Sequence, residues 1–257
     1  MTARRAAAPG QAAAQSWSQQ ALILVAGRPE ASVTPLAGKG LDSAQLTIYA
    51  PDALRTQLTL SKENGRWRAA PLAEGLGGFH WLSSRAFGET EIRSAASVLM
   101  FPGKGPSPEK LLSDYQMGLD IRPVRLPERG GYREGSRWDF LVRFDGLPLA
   151  ATTLLLETEN GSSEKFETNQ QGIAHVTFPR DFDSASIDKE AGAARTRKGF
   201  AVSAVREVNG VRHSSAFNYF YTPDLMRERS LAWGMGFTLL GMCLAFPLLR
   251  RKETVHV

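Results

Sequence analysis

The chain has 257 residues, enough for two domains of ordinary size. Hydrophobic residues make up 42% and charged residues 22%, which excludes an intrinsically disordered chain. The net charge of +5 and a pI near 9.5 raise nucleic acid as a partner; the Lys and Arg residues are scattered, with no long basic run and no zinc-finger spacing, so nucleic acid is set aside.

Residues 1–19 are Ala-rich, with Arg4 and Arg5 near the start, and Ala12-Ala13-Ala14 fits a small-x-small cleavage site. The apolar core of roughly 7–15 residues that a signal needs is missing. This segment therefore reads as the remnant of a signal peptide from a longer gene, or as an N-terminal arm. Residues 20–101 carry short apolar runs that predict strands at Gln20–Ala26, Ala44–Tyr49, Gln57–Lys62, Arg66–Pro71, Gly78–Ser83 and Ile92–Met100. Asn64-Gly65 predicts a tight hairpin between the third and fourth of these, since Gly adopts a positive φ without steric penalty. Phe79 and Trp81 share one face, with His80 on the other. Residues 102–118 open with PGKGPSP, a linker by composition. A short helix is expected within Ser107–Met117, with Ser107 as cap and Pro108 at the first helical position.

Residues 119–222 form a second β region. Trp138, Phe140 and Val142 alternate with Arg137, Asp139 and Arg143, the pattern of a half-buried antiparallel strand. Asp145-Gly146, Asn160-Gly161 and Gln171-Gly172 are turn signals between further strands. Asp181–Lys198, charged and rich in small residues, reads as a loop. Asn209-Gly210 joins Phe200–Glu207 to Val211–Tyr221 in the clearest hairpin of the chain. Many short strands at this spacing predict a mainly β fold built from two β-sandwiches.

Three pieces of this region, Leu119-Asp120-Ile121-Arg122-Pro123, Phe144-Asp145-Gly146-Leu147-Pro148-Leu149 and Thr168-Asn169-Gln170-Gln171-Gly172, carry a family resemblance. The run from Leu119 to Phe178 resembles the NikM-like bacterial periplasmic proteins that accompany nickel and cobalt uptake transporters. The resemblance implies Ig-like or prealbumin-like sandwiches and a periplasmic compartment. In metal-handling relatives a histidine close to the mature N terminus is typical. Here Gln15, Ser16 and Trp17 follow Ala14.

Residues 231–249 (LAWGMGFTLLGMCLAFPLL) carry no charge and span about 28 Å as a helix, close to the hydrocarbon thickness of a bilayer. They predict one C-terminal transmembrane helix. Arg250, Arg251 and Lys252 follow at once, so 250–257 would be a cytoplasmic tail. The expected location is the bacterial inner membrane, single-pass, with the bulk periplasmic and the C terminus cytoplasmic. Gly234, Thr238, Gly241 and Ala245 recur at spacings that place them on one side of that helix, a candidate seam for a partner helix.

No nucleophile elbow, zincin, phosphate-loop or dinucleotide motif occurs. Of the four histidines, His80, His175 and His213 lie on predicted strands without a local partner, and are the metal-ligand candidates only if the fold brings them together. The single cysteine, Cys243, allows no intrachain disulfide. The functional expectation is a non-catalytic, membrane-anchored accessory or binding protein without a cofactor, serving an integral membrane partner such as a transporter. The alternatives are a nickel- or cobalt-binding uptake component, a carbohydrate-binding module using Trp67, Trp81 or Trp138, or an enzyme with an unrecognised site.

Overall fold

Alternating apolar residues and glycine turns give sixteen strands in the described part of the chain. The computed structural model describes residues 17–26, 33–41, 45–51, 56–73, 76–127, 131–183, 196–225 and 242. In order these are β1 (Leu22–Val25), β2 (Thr34–Lys39), β3 (Gln45–Tyr49), β4 (Gln57–Leu60), β5 (Trp67–Ala69), β6 (Gly78–Phe87) and β7 (Glu91–Phe101). A five-residue helix, α1 (Glu109–Ser113), follows. Then come β8 (Leu119–Pro123), β9 (Tyr132–Arg133), β10 (Arg137–Phe144), β11 (Leu147–Pro148), β12 (Thr153–Thr158), β13 (Ser163–Glu167), β14 (Ile173–Thr177), β15 (Lys198–Val208) and β16 (Val211–Thr222). All the strands belong to one unit, Met1–Pro223. Of the second unit, Asp224–Val257, residues 224, 225 and 242 are described.

The strands make three sheets. A nine-stranded sheet runs β13-β12-β15-β16-β7-β6-β3-β4, with β9 pairing β16. A three-stranded sheet, β1-β2-β5, supplies Ile23, Leu36 and Trp67 to a core shared with Leu46, Ile48 and Leu82 of the large sheet. A four-stranded sheet, β11-β10-β14 with β8 on β10, supplies Ile121, Phe140 and Val176 to a second core with Trp81, Phe200 and Phe217. The large sheet is therefore covered on both faces. Neighbouring residues of β6, Trp81 and Leu82, are both buried, one in each core.

Four expectations are corrected here. The segments read as two sandwiches share one sheet: β7 and β16 pair in parallel from Arg212↔Glu91 to Phe217↔Ala96. Parallel pairing of strands so distant in sequence leaves no turn signal, so periodicity could not show it. The Asn64-Gly65 turn is present, with φ of 51° and 76°, but closes only one bridge, Glu63↔Arg66. Its flanking strands then part, β4 joining β3 and β5 joining β2, so the turn hands the chain from one sheet to another. Pro108 is the N-cap of α1, not its first helical residue.

The C-terminal transmembrane helix is the fourth. Among the described residues no helix is long and apolar enough to cross a membrane. A charge-free window reports hydropathy alone, and hydropathy does not by itself make a spanning helix. The single-pass inner-membrane placement rested on that helix and is withdrawn with it. Apart from Met242, residues 231–249 lie outside the described residues, as do the signal-like residues 1–16.

Candidate functional site

The ladder between β7 and β16 ends at Phe217↔Ala96. Beyond that point the two strands separate. The Ser97 hydroxyl donates to the Asn218 carbonyl (2.8 Å) at the place where the ladder stops. The Asn218 side chain turns to β1, the edge strand of the small sheet. Its Oδ1 accepts from the Ile23 N–H (3.0 Å) and its Nδ2 donates to the Ile23 carbonyl (2.8 Å). One buried asparagine thus replaces a strand partner for β1 and ties the small sheet to the large one.

Past this apex the strands and the small sheet enclose a cleft of about 480 Å³, within the usual range for small-molecule sites. Its apolar lining comes from Ile23, Leu36, Leu82, Val98 and Leu99. Trp17, Tyr219 and Phe220 add aromatic surface, and Arg66, Arg197, Lys198 and Glu159 bring three cations against one carboxylate. Trp17 is held locally: the adjoining Ser18 hydroxyl donates to Glu157 Oε2 (2.7 Å), and the indole lies over Gly199, where a Cβ would come within 3.2 Å of it. Arg197 stacks on Phe220, its guanidinium carbon 4.2 Å from the ring centroid. Glu159 is already engaged, accepting from the Gly199 N–H (2.9 Å) and facing the Lys198 ammonium at 3.5 Å. The Asn64-Gly65 turn brings Arg66 to the opposite side.

The three histidines do not meet. His80 is fully buried, edge-on to Phe101 at 4.9 Å, with Nδ1 3.3 Å from the Gly78 carbonyl. His213 packs on Phe144 at 5.0 Å; it lies level with Ile92 and Phe87, seven residues along β6 from His80, or roughly 23 Å. His175 belongs to a different sheet, where its Nδ1 sits 2.6 Å from Asp139 Oδ1 across the β10–β14 register; both side chains are exposed. Among the described residues no group of three or more His, Cys, Asp or Glu could hold a metal ion. Gly234, Thr238, Gly241 and Ala245 lie outside the described residues. Trp67 and Trp81 are fully buried and Trp138 packs on Tyr132 at 4.7 Å, so these three give no open stacking platform.

Two polar clusters sit inside the fold. Asp120 Oδ2 accepts from Arg122 Nε (3.1 Å) and Arg143 Nη2 (3.0 Å), all three residues being buried. The same guanidinium groups reach the chain around the end of α1: Arg122 donates to the Leu111 carbonyl, and Arg143 to those of Ser113 (3.1 Å) and Asp114 (2.5 Å). Arg122 also lies 4.5 Å from the Trp81 ring. Burial lowers the Arg122 pKa, and the Asp120 charge opposes that shift. In the second cluster the Tyr221 hydroxyl donates to Asp181 Oδ1 (2.5 Å), which also accepts from Asn160 Nδ2 (3.2 Å), while Thr158 donates to Oδ2 (2.8 Å). Burial, and next the bond to Asp181, raise the Tyr221 pKa. Both clusters fasten loops to sheets.

Sequence reasoning passed over Asn218, Trp17 and Arg197. One signal was readable: Asn218 interrupts the run AFNYFY, a polar residue in the middle of an apolar strand.

No family model matches the chain, and no curated protein does. Among solved structures it is similar to part of a 1.5-MDa bacterial ice-binding adhesin, described for its retention on the host cell surface, at 12% identity and a TM-score of 0.26, covering 81% of this chain and 66% of that one. A second is a Ca2+-stabilised adhesin that helps an Antarctic bacterium reach out and bind ice, at 10% identity and a TM-score of 0.25, covering 80% of this chain and 49% of that one. The chain thus spans just under two thirds of the first structure and about half of the second.

Proposed function

We propose that this chain is a non-catalytic binding protein that takes a small ligand into the cleft between β7 and β16. The observation that carries the reading is the lining of that cleft: apolar side chains below, aromatic rings beside them and charged groups at the mouth. Large, mostly apolar pockets with few polar groups are the usual form of a binding site. Its serine, Ser97, donates its hydroxyl to a main-chain carbonyl and has no imidazole among the lining residues to activate it. The NikM-like resemblance of 119–178 supports an accessory role beside a transporter.

The test is an NMR fragment screen on the full chain, followed by amide shift mapping. Hits whose shifts centre on residues 97–99 and 218–220 support the reading. Hits that all map elsewhere, or a library that yields none, refute it.

A further inference from the structure

We infer that the ligand is an amphipathic carboxylate, its apolar body held between the sheets and its acid group at the Arg197 side of the mouth. This rests on the cleft being the binding site.

Three observations point to this class. The polar side chains at the apex already have partners: Asn218 holds both polar groups of Ile23, and Ser97 holds the Asn218 carbonyl. A sugar or other polar body entering there would lose its bonds to water and find few in return. An alkyl chain or apolar ring loses nothing of that kind and covers Leu99, Tyr219 and Phe220, lining residues that the fold leaves partly exposed. The charge at the mouth then selects the head group. Glu159 is bound to Gly199 N–H and Lys198, so no free carboxylate among the lining residues waits for a cation. Arg197 holds its guanidinium carbon 4.2 Å from the Phe220 ring centroid at an exposed position, and a guanidinium there can take a planar acid through two N–H donors.

The experiment is calorimetry on the full chain with n-alkyl carboxylates from hexanoate to tetradecanoate. Dodecanol, dodecylammonium, N-acetylglucosamine and choline are the comparison probes. Affinity should rise with chain length until the cleft is filled. Dodecanoate should bind at least about tenfold more tightly than dodecanol, and dodecylammonium more weakly than either. Arg197→Gln, at an exposed position, should bring dodecanoate and dodecanol to within about twofold of each other, and Arg197→Lys should keep part of the preference. Ala37→Leu, on the facing wall, should shorten the longest chain accepted.

Equal affinity for dodecanol and dodecanoate overturns the acid class. So does binding of the sugar or of choline in place of the carboxylates. In each case amide shifts at 97–99 and 218–220 would leave the cleft reading standing. Carboxylate binding with shifts only outside those residues overturns both. Absence of carboxylate binding overturns the inference alone, since the fragment screen decides the cleft independently.

Discussion

Asn218→Ala is the substitution that tests how the cleft is built. It removes two hydrogen bonds, from Ile23 N–H (3.0 Å) and to the Ile23 carbonyl (2.8 Å), where Asn218 is 5% and Ile23 3% exposed. Each buried main-chain group left unpaired costs about 1–3 kcal/mol. The sum would reach about 6 kcal/mol, but the cleft adjoins the site and admits water, which restores part of the bonding. The expectation is a loss of about 2–4 kcal/mol. Urea denaturation of the full chain reads it as a drop in midpoint of roughly 1–2 M, for a slope of about 2 kcal/mol per M. Asn218→Leu separates bonding from packing, because leucine fills a similar volume and bonds to nothing. It should be destabilised about as much as the alanine variant. A loss below about 0.5 kcal/mol for Asn218→Ala, or full recovery by Asn218→Leu, would show that Ile23 does not depend on the asparagine.

Asp120→Asn should cost about 3–5 kcal/mol in the same assay, because Arg122 and Arg143 would remain buried side by side without their anion; a loss under about 1 kcal/mol would mean that the carbonyls of Leu111, Ser113 and Asp114 suffice. Burial holds the Tyr132 phenol well above its ordinary range, so the folded chain binds more protons than the unfolded one once pH exceeds about 10. The stability it contributes is complete below that pH and is lost above it, by up to about 1.4 kcal/mol per pH unit. Tyr132→Phe should flatten the alkaline limb by that amount and change stability little at pH 7, since the hydroxyl has no partner among the described residues. Denaturation midpoints at pH 7 and pH 11 check both, and an unchanged alkaline slope would refute the assignment.

What was legible in the sequence was local. Asp145-Gly146 and Asn209-Gly210 turn the chain as expected, with φ of 49° and 83° in the first and 52° and 77° in the second. β10 and the β15–β16 hairpin fall where alternation placed them. β2 escaped because TPLAGK lacks a strand composition. Its glycine answers to a contact instead: a Cβ at Gly38 would sit 2.7 Å from the Trp67 ring. The β7–β16 pairing escaped because nothing local encodes it. The continuous burial of β6 from His80 to Ser84 is that of a strand covered on both faces, but His80, Ser83 and Ser84 are polar, so hydropathy gave no sign of it. His80 illustrates the limit from the other side. Alternation correctly put it opposite Trp81, but a face turned away from one core here meets a second core, not solvent or a metal.

The cleft follows from the same arrangement. In the nine-stranded sheet the β7–β16 ladder stops at Phe217↔Ala96, short of the ends of both strands. Where β7 and β16 part, main-chain groups and apolar side chains lose their strand neighbour together. The polar groups of this region are met by single side chains, Ser97 for the Asn218 carbonyl and Asn218 for Ile23. The apolar side chains cannot be satisfied one at a time, because covering them takes area. Leu99, Tyr219 and Phe220 therefore remain partly exposed as lining, with the Arg197 guanidinium carbon 4.2 Å from the Phe220 ring centroid. A gap whose apex side chains are already bonded and whose Leu99, Tyr219 and Phe220 stay partly exposed favours apolar bodies, and the cations that line it favour acids.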